Sequence, residues 1–255
     1  MILIFCIYFF IKKKNKKLRK ISKKNQEIMI FGHRGAPDYE KENTILSFQK
    51  AIKQKVDGIE LDVQKSSDNH IVIHHDEYLN DNVSKIQQTS FSKIQKIQKT
   101  HKLNELKDIT FLLSKIKMLN IEIKSRTLFN RGIEKDILKY IETNKIENKT
   151  IISSFNPMVL INIKRKNKKI KIGYLFTKED VHWILKTYMW AKIIKPNYFN
   201  VDKKHIDKKI IKWCKKEEIP ILVFTINTKE DFLYVKKLGV QGVFTDNPQK
   251  IKLML

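Results

Sequence analysis

Cysteine, glycine, proline and arginine are all scarce in this chain of 255 residues. The only cysteines, Cys6 and Cys214, support neither a disulfide framework nor a thiolate metal site. With seven glycines and five prolines the chain shows no internal repeat, and low complexity is confined to a lysine-rich tail near the N-terminus. Acidic residues are few beside basic ones, 27 against 52, which leaves a formal net charge of +25. Only five of the basic residues are arginines, and the lysines are spread along the whole chain among isoleucines and asparagines. No basic groove with interleaved aromatics stands out, so nucleic acid is not an expected partner. The charge reads as a solvated lysine surface, with attraction to anionic membrane lipid as the second reading.

No apolar run is long enough for a conventional membrane span. The longest, Ile2 to Ile11, has ten residues and is followed at once by a basic run from Lys12 to Lys20. As a helix it reaches about 15 Å, about half of a bilayer's hydrocarbon core. A cleaved signal peptide fits poorly, because no positive residue precedes the run and no small-residue cleavage site follows it. We expect residues 1–25 to be an apolar segment with a polybasic collar that anchors the protein to an anionic membrane surface. The basic side of this anchor places the rest in the cytoplasm by the positive-inside rule. Without insertion of residues 2–11 the protein is expected to be simply cytoplasmic. Residues 26–255, with 42% hydrophobic content over the whole chain, suffice for one domain with a full core.

What the chain does have is concentrated in four short stretches between Phe31 and Asp76: Phe31-Gly-His-Arg-Gly35, Glu42-Asn-Thr44, Glu60-Leu-Asp62 and His74-His-Asp76. The apolar run from Ile28 to Gly32 reads as a strand that ends at His33 and Arg34. Side chains alternate along a strand, so Glu60 and Asp62 face one way while Ile59, Leu61 and Val63 face the other. Two like charges on one face call for a cation between them, and an all-oxygen ligand set favours a hard ion, Mg²⁺ or Ca²⁺. From Met118 to Ser125 the pattern returns, with Glu122 and Lys124 on one face and Ile121 and Ile123 on the other. In a strand from Ile71 the same alternation gives His75, and not His74, to the face of Ile71 and Ile73. Two histidines on either side of a phosphorus atom can serve as general acid and general base. For Glu42 two readings stand, approach to a metal or orientation of the turn that carries Asn43. Asn43 and Thr44 precede an apolar stripe of helical period, which an N-cap role explains in full.

The alternation of elements sets the fold class. Strand candidates fall at 28–32, 57–63, 71–76, 118–124, 149–154, 170–176, 193–201, 220–226 and 240–245, with a helix at about 44–54 and helical stretches between the later strands. Such a series predicts a parallel α/β structure of the TIM-type (β/α)8 barrel. Nine candidates compete for eight places. The link from Val63 to Ile71 is too short for a crossover helix, so one of those two strands is expected to form a hairpin extension.

The chain resembles the glycerophosphodiester phosphodiesterase family. The resemblance rests on His33-Arg34-Gly35, Glu42-Asn43-Thr44, Glu60-Leu-Asp62-Val63, His75-Asp76, Ile121-Glu122-Ile-Lys124 and Phe244-Thr-Asp-Asn-Pro248, and spans roughly residues 28–250. It implies a metal-dependent hydrolase that cuts a glycerophosphodiester into an alcohol and sn-glycerol 3-phosphate, in phospholipid and glycerol metabolism. Carried over by position, Glu60, Asp62 and Glu122 hold one divalent metal ion, His33 and His75 form the acid/base pair, and Arg34 and Lys124 bind phosphate oxygens. Family membership also implies attack by a neighbouring glycerol hydroxyl, through a cyclic phosphate. Phe155 matches an aromatic position of the family, and Phe224 stands where the family commonly has tryptophan. A phenyl ring supplies an apolar wall but no N–H donor. The insertion after the His-Asp motif is short here, and no arginine appears between Leu79 and Val83, so the site is expected to be more open. Two alternatives accompany this reading: a lysophospholipase D acting on membrane lysolipids, and a non-catalytic lipid-binding barrel.

Overall fold

The computed structural model describes residues 27–98, 101–125, 132–179 and 187–255. The segment of residues 1–25, expected to anchor the protein, lies outside them. Among the described residues no helix is long and apolar enough to cross a membrane.

Eight parallel strands close into a barrel: β1 (Met29–Gly32), β2 (Gly58–Lys65), β4 (Met118–Ile123), β5 (Thr150–Ser154), β6 (Lys171–Phe176), β7 (Tyr198–Asp202), β8 (Ile221–Phe224) and β9 (Gly242–Thr245). The sheet runs β1-β9-β8-β7-β6-β5-β4-β2, and a β1–β2 pairing closes the ring. The ninth strand, β3 (Ile71–Ile73), pairs antiparallel with the end of β2 and is the hairpin extension.

Both faces of the barrel strands are covered, which is why they read as nearly continuous apolar runs. Outward-facing Ile30, Ile59, Leu61, Val63, Ile121 and Ile123 join the main core under the helices. Inward-facing Phe31, Ile151, Leu222 and Phe244 fill the barrel, with Met29, Met118, Tyr198 and Phe224 against them. Each fully buried Phe or Ile of such a core contributes roughly 1.5–3 kcal/mol. Helices enter from short loops with side-chain caps. Thr44 accepts from Ser47 N, Asn156 from Met158 N, Asp207 from Ile210 N, Thr228 from Asp231 N and Asn247 from Lys250 N. These loops therefore sit at one end of the barrel, the carboxyl ends of the strands.

Two expectations are revised. Residues 193–197 do not extend β7: the helix Met189–Ile194 runs through Ile193, and Lys195 ends it in a left-handed conformation. The strand expected at 71–76 stops at Ile73, so His74 and His75 lie beyond it. From β3 onward the chain builds a second small core of Val72, Leu79, Ile86, Ile94 and Leu103. It is formed with the helix Phe91–Ile97 and followed by a 3-10 helix at Leu106–Lys115 that the sequence pattern did not announce.

Candidate active site

The register of β2 and β4 builds the acidic floor of the site. Asp62 stands beside Glu122 and Glu60 beside Asn120. Glu60, Asp62 and Glu122 are all buried, and one carboxylate oxygen from each lies within 4.8 Å of the others. Such a triad can hold a metal ion, and the fit is supported by Glu60 Oε1, which is buried with no hydrogen-bond partner. Hard oxygen donors of this kind suit Mg²⁺ or Ca²⁺.

The first turn after β1 brings the cation. Arg34 has a left-handed backbone, φ 53°, and its N–H donates to Glu60 Oε2 at 2.7 Å. The turn packs so closely that a Cβ on Gly32 would run into the Gly35 carbonyl oxygen. The guanidinium lies between two acids: Nη1 donates to Glu42 Oε2 at 2.8 Å, and Nε is 3.3 Å from Asp62 Oδ2. Glu42 thus belongs to the arginine and not to the metal triad. Thr44 takes the helix cap, while Asn43 does something else: its Nδ2 donates to Asp62 Oδ2 at 2.8 Å and its Oδ1 accepts from Asp62 N at 3.2 Å. Lys124 Nζ is 3.0 Å from Asp62 Oδ1 and 2.6 Å from Glu122 Oε1.

These charges set the protonation states. Burial would raise the Asp62 carboxyl, but Lys124, Arg34 and His75 hold it well below the usual carboxylate range. Burial and the neighbouring Asp62 and Glu122 carboxylates push Glu60 well up. Desolvation opposes the charge on Lys124, yet Asp62 and Glu122 raise its ammonium above the ordinary value.

Two histidines face the same pocket, each with an aspartate on its Nδ1. His33 Nδ1 pairs with Asp246 Oδ1 at 2.6 Å, and Asn227 Nδ2 donates to the other oxygen of Asp246. His75 Nδ1 pairs with Asp76 Oδ1 at 2.7 Å. Burial and then Lys124 lower the His75 imidazole, against the pull of Asp62. His74 instead turns into the protein, where burial also lowers it and its Nε2 has no partner.

The pocket measures about 450 Å³ and is lined by His33, Arg34, Glu60, His75, Glu122 and Lys124 on one side. Phe155, Leu175, Phe224 and Phe244 make an apolar wall beside Lys203 and Lys204. The Phe155 and Phe224 rings meet edge to face with centroids 6.0 Å apart. The stretch 79–83 forms a turn in which Asp81 accepts from Val83 N and Ser84 N, and none of the described residues from 77 to 116 lines the pocket. Asp246, Asn227 and Asn43 were not singled out by sequence reasoning as site residues. The only signal for Asp246 was its place in the closing Phe-Thr-Asp-Asn-Pro motif.

An acidic triad, two aspartate-held histidines and two cations at the carboxyl end of a (β/α)8 barrel define a site for phosphoester chemistry. The profile of the Glycerophosphoryl diester phosphodiesterase family matches residues 33–250, and the chain belongs to that family. It is 32% identical over 237 residues to a glycerophosphodiester phosphodiesterase of Caldanaerobacter subterraneus, covering 88% of this chain and 96% of that protein. The structure superposes on a glycerophosphodiester phosphodiesterase of Thermotoga maritima with a TM-score of 0.72 at 26% identity, over 91% of this chain and all of the other. A phosphodiesterase of Oleispira antarctica, solved in complex with the product sn-glycerol-3-phosphate, shares the fold with a TM-score of 0.72 at 24% identity, over 89% of this chain and 96% of that one. The chain is therefore a phosphoric diester hydrolase of this family.

Proposed function

We propose that this site hydrolyses a glycerophosphodiester to an alcohol and sn-glycerol 3-phosphate with the help of one divalent metal, Mg²⁺ or Ca²⁺, held by Glu60, Asp62 and Glu122. The observation that carries the reading is the convergence of both aspartate-held histidines, Arg34, Lys124 and Glu60 with Glu122 on one pocket of about 450 Å³. When bound, the metal supplies Lewis-acid stabilisation of charge on the phosphate. Arg34, pinned at Nη1 and Nε, and Lys124 hold phosphate oxygens and neutralise charge that builds up during attack. Of His33 and His75, one accepts the proton of the attacking oxygen and the other gives a proton to the departing alkoxide. Their Nδ1 atoms are occupied by Asp246 and Asp76, so Nε2 is the working nitrogen of each ring. The leaving alcohol packs against Phe155 and Phe224.

That apolar wall, with Leu175 and Phe244, favours a second substrate, a lysolipid whose chain continues past the phosphate. In that reading the segment of residues 1–25 holds the site against an anionic membrane surface. Phosphorus NMR of the full chain with glycerophosphocholine, and separately with micellar lysophosphatidylcholine, distinguishes the two. Release of sn-glycerol 3-phosphate from the soluble diester supports the first reading. Turnover of the lysolipid alone supports the second, and turnover of neither refutes both.

A further inference from the structure

Lys124 is paired with carboxylates that could hold a metal ion. Its ammonium lies between Asp62 Oδ1 and Glu122 Oε1, at 3.0 and 2.6 Å, and these two carboxylates are two of the three that form the acidic triad. The second oxygen of Asp62 is engaged by Asn43 Nδ2 and Arg34 Nε, and Glu60 Oε2 by the Arg34 backbone N–H. Four carboxylates, counting Glu42 on Arg34, stand against the two cations Arg34 and Lys124 and leave two formal negative charges. A divalent ion added to this set cancels both. With a dication on Asp62 and Glu122, these carboxylates no longer need Lys124 as their partner, and its ammonium is left for a monoanionic phosphodiester.

We propose that Lys124 is a tethered cation that competes with the divalent metal for Asp62 and Glu122, and that metal binding turns its ammonium from these carboxylates toward the phosphate of the substrate. This rests on the metal-dependent reading given above. The residue type suits such a role, since a lysine is a compact point charge on a flexible four-carbon stem, whereas an arginine fork would grip a carboxylate at two points and resist displacement. The position suits it too, because Lys124 lines the same pocket as His33, Arg34 and His75, while its backbone N–H is fixed to the Val63 carbonyl at 3.1 Å. Metal and phosphate then bind with positive coupling through this side chain, and linkage makes the coupling equal in both directions.

The test is calorimetric titration of Mg²⁺ into the metal-stripped full chain, wild type, K124M and K124Q, with no anion present. Removing the competing charge is expected to tighten Mg²⁺ binding about tenfold in both variants. Circular dichroism checks the fold; should K124M misfold, K124Q, which keeps an N–H donor for the two carboxylates, carries the comparison. In a second titration, with glycerol 3-phosphate, wild type gains affinity on Mg²⁺ loading, and this gain shrinks about tenfold in the variants. A purely structural lysine would not tighten metal binding on its removal. Equal or weaker Mg²⁺ affinity in the variants, with metal-dependent hydrolysis intact in wild type, overturns this inference alone. No Mg²⁺ or Ca²⁺ binding in any form overturns the metal-dependent reading and this inference with it.

Discussion

His33 and Asp246 are 213 positions apart and meet at 2.6 Å. The His-Arg-Gly motif could be read from the sequence as a site candidate, but its aspartate could not, because barrel closure between the first and last strands creates the pair. Glu60, Asp62, Glu122 and Lys124 were legible because strand alternation has a period of two, which survives in any single sequence. Asn43 was misread as a cap because its local context, a Thr and an apolar stripe, explained it without reference to Asp62. Replacing His33 or His75 with alanine is expected to lower kcat by about 10²-fold or more with an unchanged circular dichroism spectrum. A near-normal rate in either variant removes that histidine from the mechanism. Burial opposes the Asp246 charge, but the bond from His33 holds its carboxyl below the ordinary value. Its stabilising effect is therefore full above the unfolded carboxylate value of about 3.9 and is lost as pH falls through the folded value. Urea midpoints of wild type and D246N should differ at pH 7 and converge below about pH 4; a constant gap would refute this. The buried Cys214 thiol is pushed up to about 12 by desolvation. With Cys6 replaced by serine, the native protein is expected to react with a disulfide reagent only after unfolding.

Element type was legible wherever apolar runs alternate with amphipathic stretches, as in β2, β4 and the helix Ile45–Lys53. It failed at Ile193–Asn197, where a β-branched pair led the eye into a strand although Trp190, Ala191 and Lys192 continue a helix. The stretch Leu106–Lys115 was passed over; it is a 3-10 helix in which buried Leu106, Ile109 and Leu112 fall three residues apart, with Leu113 beside them. His75 entered the pocket for a reason other than the one its sequence pattern offered, since β3 ends two residues before it. The turn after β1 is closely packed. A Gly32→Ala variant places a methyl carbon against the Gly35 carbonyl, and the overpacking should cost about 1–3 kcal/mol by urea unfolding. An unchanged midpoint would show that the turn relaxes freely.

Across the molecule, the closed barrel explains why residues from both ends of the chain share one pocket. Residues that follow β1, β3, β4, β5, β7 and β8 line the pocket, and β1, β2, β4 and β9 supply or adjoin the charged half of the site. The extra strand β3 turns the chain out into a small module with its own core, and none of the described residues of that core lines the pocket. The surplus of lysine told little about function, because within the site a few paired cations, Arg34 and Lys124, matter more than the net charge. Metal-dependent hydrolysis is tested most directly by release of sn-glycerol 3-phosphate from glycerophosphocholine by the full chain, measured with Mg²⁺, with Ca²⁺ and with chelator. We predict release that chelator abolishes and either ion restores, and release undiminished by chelator would contradict the role given to Glu60, Asp62 and Glu122.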